Sequence, residues 1–284
     1  MTVQTPVLSN PNEKVKALKA SIEESANELL RQMEDGKSEA LVRYLEYAAK
    51  FHEYSIRNIM LAIWQRPGLT QIAGLRRWNE LGRRVKKGEK GIAILAPVTL
   101  ASRIEIDKDG SVIEISGPVR WFKVVYVFDI SQTEGEPVPE MTHATGDVST
   151  LYPELVKLVQ ESGITLEFAE EVPGSIGAFG ISLGGRIVLR KDLGPADAFR
   201  VLVHEFAHER LHKGSEEKES KTIRETEADA TAFIVCRHFG VTCDSSDYLL
   251  LYDSNPKVLL DRLEQIRGTA CRIIEGLERS LEVE

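Results

Sequence analysis

The chain has 284 residues, 42% of them hydrophobic, and a formal net charge of −8. That length allows two domains with separate cores, and the apolar fraction is ordinary for a protein folded in water. Apolar runs fall short of the ~18–20 residues of a membrane span, residues 1–10 lack a basic region followed by an apolar segment, and the three cysteines form no ligand pattern. A cytoplasmic protein without a membrane partner is expected.

Taken in chain order, residues 12–32, 38–50 and 54–65 read as three helices, the last stopped by Pro67 and Gly68. A short helix at 76–81 is followed by a glycine-containing basic turn at 86–91. Strand patterns then occupy 92–98, 103–106, 112–115 and 121–128, with Asp107-Lys-Asp-Gly110 as a hairpin signal between the middle two. Residues 131–149 are polar, acidic and proline-bearing, and read as a linker. Beyond it come a helix at 151–162 and strands at 165–168, 178–182 and 186–190, the last two joined by Gly184-Gly185. Helices follow from Pro195, over 222–236, and over 256–282 with a possible kink at Gly268. The expected fold class is α+β in two domains, residues 1–130 and 150–284, joined by 131–149. Strand 186–190 reads equally as an edge strand that could hold an extended peptide and as a plain packing strand.

Charge is unevenly spread. Residues 54–91 carry nine Lys or Arg against two Glu, a local net of +7 that leaves −15 on the rest. Such a patch attracts polyanions. Two of the three tryptophans, Trp64 and Trp78, lie in it. Basic side chains beside aromatic faces suit single-stranded nucleic acid, because phosphates pair with cations while unstacked bases lie on rings. Trp64 sits in an apolar helical run and reads as core; Trp78 and Trp121 read equally as core or as stacking surfaces. The DNA-binding candidates are Arg57, Asn58, Trp78, Arg83, Arg84, Lys86, Lys87 and Lys90.

One motif dictates a chemistry. His204, Glu205 and His208 stand in the spacing His-Glu-x-x-His inside an apolar helical run containing Phe199, Val201, Leu202, Val203, Phe206 and Ala207. Four residues turn a helix through ~400°, so the two imidazoles point the same way, one turn apart. Both can ligate one Zn²⁺, or another divalent metal, while Glu205 sits placed to act as general base. A third ligand should come from the next helix: Glu227, in Glu227-Ala228, is preferred, Glu225 is the alternative, and Asp229 could accept a hydrogen bond from a ligand imidazole. His212 lacks the spacing of a third histidine ligand and reads as a pocket or helix-end residue. His52, His143 and His238 read as ordinary residues.

These stretches also carry a resemblance. Tyr-Ser-Ile-Arg-Asn at 54–58, Gln-Arg-Pro at 65–67, Ala-Gly-Leu-Arg-Arg-Trp at 73–78 and the run from Leu81 to Pro97 resemble the N-terminal domain of the ArdC antirestriction family. Val201–His208 with Glu225-Thr-Glu-Ala228 is similar to the C-terminal metallopeptidase domain of that family, which is related to the IrrE/ImmA zincins. The resemblance implies an N-terminal domain that binds single-stranded DNA, a metal site at His204, Glu205, His208 and Glu227, and protection of incoming conjugative DNA from restriction. Two functions therefore stay open: a metalloprotease with a protein or peptide substrate, and a DNA-binding antirestriction protein whose metal site is structural. Residues 149–284, net −8, do not look like the DNA-binding part.

Overall fold

The computed structural model describes residues 10–35, 37–99, 103–106, 112–115, 118–137, 148–173, 177–212, 220–242 and 255–282. The hairpin turn expected at 107–110, His143, Cys243 and most of the expected linker lie outside them. By packing, the chain forms two units that interleave in sequence: Met1–Ser25 with Met60–Glu136, and Ala26–Ile59 with Pro137–Glu284. The chain passes between them inside helix α1 (Pro11–Glu34) and again inside α3 (Ile56–Gln65).

The first unit is built on a three-stranded antiparallel sheet. Strand β6 (Val119–Asp129) is central, flanked by β1 (Ile72–Gly74) and β3 (Ile92–Thr99). Ile92, Ala93, Ile94 and Leu95 are buried in succession, so the β3 end near the core is covered on both faces. Gln65 substitutes for a further strand. Its side-chain amide donates to the Ala93 carbonyl at 2.8 Å and accepts from the Ala93 N–H at 2.9 Å, satisfying the open edge of β3. Short helix α4 (Leu75–Glu80) buries Trp78, whose Nε1 donates to the Phe128 carbonyl at 2.9 Å. Strands β2 (Arg83–Val85) and β7 (Thr133–Gly135) pair antiparallel, so residues 133–135 are ordered structure inside the stretch read from sequence as linker. Asp129 organises this corner: its carboxylate accepts from the N–H groups of Thr70 at 2.8 Å and Ser131 at 3.0 Å. Burial raises its pKa, and the bonds from Ser131, Thr70 and Gln71 outweigh that and hold it below the usual value. Strands β4 (Arg103–Ile106) and β5 (Val112–Ile115) pair antiparallel, as the hairpin signal predicts.

The second unit packs helices against a small mixed sheet. Helix α2 (Ser38–Lys50) lies against α7 (Lys221–His238), and α5 (Val148–Glu161) against α6 (Pro195–Leu211) and α8 (Pro256–Glu282). The expected helices are all present, and α8 runs through Gly268 without a break. The sheet order is β8 (Thr165–Ala169), β10 (Arg186–Arg190), β9 (Gly180–Ser182). Strand 186–190, a candidate edge strand in the sequence, is therefore central: it pairs parallel with β8 and antiparallel with β9. Ile187, Val188 and Leu189 are all buried, because a strand covered on both faces needs a continuous apolar run and not an alternating one. The edge nearest α6 is β9. Phe179 accepts from Arg190 and Leu183 donates to Arg186, so the backbone groups of Gly180 and Ser182 between them face away from β10. Among the described residues no helix is long and apolar enough to cross a membrane.

Candidate metal centre

The motif helix starts with Pro195 in its first turn, where a missing N–H costs nothing, and buries Phe199, Val201, Leu202, Val203, Phe206 and Ala207. That packing fixes the rotation of α6. His204 and His208 then share one face, with ring centroids 4.8 Å apart and Nε2 atoms 3.1 Å apart. Ser220 caps the start of α7, its hydroxyl accepting from Ile223 N–H, and the first turns of α7 bring Glu225 to the pair. Its Oε2 lies 3.4 Å from Nε2 of both histidines.

The structure thus brings Glu225, not Glu227, to the imidazoles, and among the described residues His204, His208 and Glu225 are the group whose donor atoms lie close enough together to hold an ion. The physical reason is helical phase. Asp229, one turn after Glu225, meets Nδ1 of His204 at 2.9 Å, so the face of α7 bearing residues 225 and 229 is the one turned to α6. Glu227 is rotated ~200° from both. Its carboxylate is buried against Arg262 of α8 at 2.6 Å and stands 3.6 Å from Nε2 of His212.

The three donor atoms make a nearly equilateral triangle with edges of 3.1, 3.4 and 3.4 Å. A tetrahedral ion with ligand bonds of about 2.0–2.1 Å spaces its ligands about 3.3–3.4 Å apart, so the donors fit a Zn²⁺-sized ion. Two imidazoles and a carboxylate equally suit other first-row divalent ions. Asp229 orients His204 as an outer partner should, by engaging the ring nitrogen that faces away from the site.

Electrostatics agree with a site built for a cation. Burial lowers the His204 pKa, but hydrogen bonds to Asp229 and Glu225 and the nearby Glu205 charge more than offset it, raising it to about 9. The same bonds from His204 and His208 hold the Glu225 carboxyl well below the usual range. Glu205 is shifted the other way: burial pushes its pKa up, against the two histidines. Metal-free His204 therefore carries a proton at pH 7, and coordination requires the neutral ring. Uptake of a divalent ion at pH 7 should expel about one proton and tighten as pH rises toward 9. Calorimetric heats that do not depend on the ionisation enthalpy of the buffer would count against this.

A cleft of about 510 Å³ opens beside this cluster, lined by Gly180, Ile181 and Ser182 of β9 and by Glu205, His208, Glu225 and others. It lies within the range of small-ligand sites. The wall is pressed onto the helix: a Cβ on Gly180 would fall 2.7 Å from Val201 and 3.0 Å from Glu205, so glycine is required there. Glu209, which sequence reasoning overlooks, pins the hairpin that carries this wall. Its carboxylate accepts from the Ser182 hydroxyl at 2.6 Å and the N–H groups of Gly184 and Gly185 at 2.9 and 2.7 Å. The signal for it was present: Gly184-Gly185 demanded a local acceptor, and Glu209 lies four residues after Glu205, on its face of the helix.

The DNA-binding candidates separate into different environments. Arg84, Lys86, Lys87 and Lys90 are exposed around the turn between β2 and β3, where Gly88 adopts φ +92°. Lys86 also donates to the Ser131 carbonyl at 3.0 Å, and Gln132 ties the turn down through Lys90 carbonyl and Glu89. Arg83 is bound to Thr133, its Nε donating to the hydroxyl at 2.8 Å. Arg57 pairs with Asp261 at 2.6 Å, and Asn58 is half-buried; both belong to the second unit, whereas the other six belong to the first. Trp78 is 2% exposed and is a core residue, not a stacking surface. The exposed aromatics of the first unit are instead Trp121, Phe122 and Tyr126.

Residues 13–128 match the family described as the N-terminal domain of anti-restriction factor ArdC. The chain is similar in fold to the crystal structure of the metal-free antirestriction protein ArdC from the R388 plasmid, with TM-score 0.51, 17% identity, and coverage of 92% of this chain and 98% of that one. The Mn(II)-bound structure of that protein gives TM-score 0.49 at 17% identity, covering 91% and 97%. An uncharacterized protein of Bacillus anthracis is 22% identical over 286 residues, 86% of this chain and 48% of the relative, so the chain spans about half of that relative's length.

Proposed function

We propose that this chain, which belongs to the ArdC antirestriction family through its N-terminal domain, binds single-stranded DNA through the first unit and holds a divalent ion in the second, protecting incoming plasmid DNA from restriction. The observation that carries the metal half is the triangle of His204, His208 and Glu225 donors, with Asp229 behind it. The DNA half is supported by the ArdC-type domain and by the exposed cations at 84–90 on a chain of net charge −8. Zn²⁺ is the proposed ion, with Mn²⁺ the competitor that the same donors accept.

A hydrolytic role is the second reading, and Glu205 favours it. A structural metal site has no need of a general base, yet Glu205 lies buried at the cleft beside the proposed ligands, and burial raises its pKa above the ordinary carboxylate value. The ion would supply Lewis acidity and acidify water in its coordination sphere. The outward backbone groups of Gly180 and the Ser182 carbonyl could align an extended peptide along β9, the role that the sequence alone suggests for 186–190, while the Ser182 N–H is taken by Glu205.

The test is a comparison of the wild type with Glu205→Gln for divalent-ion content, oligothymidylate binding, and cleavage of a peptide library with and without single-stranded DNA. The variant should keep metal and DNA and lose at least about 100-fold of any cleavage, the lower end for removal of a positioned base. Equal cleavage by both proteins would rule out a base role for Glu205. A wild type that takes up no divalent ion would end the metal reading.

A further inference from the structure

We propose that the ribbon formed by the far ends of β3 and β6, continued along β6 to Tyr126, is a base-stacking platform, with Trp121, Phe122 and Tyr126 as the stacking rings and Lys19, Arg120 and Lys123 as phosphate contacts. The assignment rests on the DNA-binding reading above and locates where unpaired bases would lie.

Three large aromatics within six residues are exposed: Trp121 at 51%, Phe122 at 39% and Tyr126 at 49%. Aromatic side chains on a strand are ordinarily covered, and a cluster left open marks an interaction surface. The strand register explains why Trp121 and Phe122 are bare, while Tyr126, opposite Ala93, is exposed further along β6. Strand β6 is 11 residues long, and only β3 accompanies its first half: Trp121 lies opposite Val98, Phe122 opposite Pro97 and Lys123 opposite Ala96. Beyond the buried stretch of β3, which ends at Leu95, the two strands run on as a two-stranded ribbon with residues of both faces exposed.

Alternation sorts the side chains. Phe122 and Tyr126 lie on one face, four positions and roughly 13–14 Å apart, while Trp121 and Lys123 lie on the other. Each face thus offers a ring with cations beside it. Lys19 of α1 stands over the Phe122 ring, 5.4 Å from its centroid, and Arg120 over Trp121 at 5.3 Å. Neither 92–99 nor 118–128 contains an acidic residue, whereas 118–128 holds Arg120 and Lys123, on a chain whose net charge is −8.

This chemistry favours one occupant. Open ring faces are useful only to unstacked bases, which a duplex hides, and adjacent cations meet the phosphates of the same strand. A protein interface would gather aromatics and arginine but few lysines, whereas Lys19 and Lys123 stand beside these rings. The buried Trp78 cannot serve and Trp64 is half-buried in α3, so Trp121, Phe122 and Tyr126 are the exposed aromatic rings of the first unit among the described residues.

The experiment uses the full chain, with fluorescence anisotropy of labelled oligothymidylate and of a duplex at several salt concentrations. The variants are Trp121→Ala with Tyr126→Ala, and Trp121→Phe with Tyr126→Phe. The double alanine variant should unfold at the wild-type temperature and lose about five- to 150-fold in affinity per base unstacked. Its salt slope should be unchanged, because every cation that meets a phosphate is still in place. The double phenylalanine variant should bind within a few-fold of wild type, and oligothymidylate should quench a tryptophan emission that Trp121→Phe abolishes. If the alanine variant binds as tightly as a wild type that does bind, the platform is overturned and the DNA-binding reading survives. A wild type indifferent to oligothymidylate overturns both. Loss of self-association in sedimentation, with DNA affinity unchanged, would make the ribbon a subunit interface and overturn the platform.

Discussion

Glu225→Ala is expected to strip the divalent ion from a protein that still unfolds near the wild-type temperature, and Glu227→Ala to do the reverse. The two residues are two positions apart on α7 but serve different neighbours. Glu225 is half-exposed and meets the histidine pair at 3.4 Å. Removing it deletes one of three donors, which should cost more than the roughly 10–100-fold lost when an outer partner of a ligand is removed. Little packing goes with it. Glu227 is 3% exposed, and Arg262 holds it at 2.6 Å. Truncating one member of a buried ion pair leaves the other charge desolvated and typically costs about 3–5 kcal/mol. Arg262 keeps some access to water, so the lower end is expected. Glu227→Gln, which retains an acceptor for the guanidinium, should recover part of that loss. Denaturant unfolding and metal titration, run on the metal-free proteins, separate the two effects. A Glu227→Ala protein of wild-type stability that no longer binds metal would restore Glu227 as the ligand.

The contrast between Glu227, expected from the sequence, and Glu225, which meets the histidines, shows what was legible. The helices, the position of α7 and the presence on it of a carboxylate facing the histidine pair could all be read from apolar periodicity and the His-Glu-x-x-His spacing. So could the conflict, since Asp229 as partner of His204 puts residues 225 and 229 toward α6 and turns 227 away. The Glu-Ala pairing pointed to 227 where the phase of the helix pointed to 225. The central position of β10 was equally visible in Ile187, Val188 and Leu189, three apolar residues in a row that no half-solvated edge would carry. Other features had no local signature. β1, β2 and β7 are three residues each, too short for any period, and exist only because β6 and one another supply partners. The interleaving of the two units was also hidden, because helical sequence records which face is apolar and not which core covers it.

Trp78→Ala should destabilise the first unit by about 3–5 kcal/mol, the usual cost of emptying a large aromatic site. The indole fills the space under β6 and donates to the Phe128 carbonyl at 2.9 Å, so its removal also leaves that carbonyl to find another donor. Any loss of DNA affinity should then track the unfolded fraction and vanish where the variant is folded. Neutralising Lys86, Lys87 and Lys90 together should behave in the opposite way. All three are exposed, and the one bond at stake, Lys86 to the Ser131 carbonyl, lies at the surface and is worth at most about 1 kcal/mol. Stability should hardly change, while affinity for oligothymidylate falls for every sequence tested. The log–log salt slope should flatten by roughly 0.7 for each phosphate no longer neutralised, up to about 2 for three. Unfolding curves and anisotropy titrations on the same preparations decide the matter. If folded Trp78→Ala binds weakly with an unaltered salt slope, Trp78 reaches the DNA after all. If the triple variant keeps the wild-type slope, the turn at 86–91 is a solvated surface, and the phosphates meet this unit on the β6 ribbon, where Arg120 and Lys123 stand beside exposed rings.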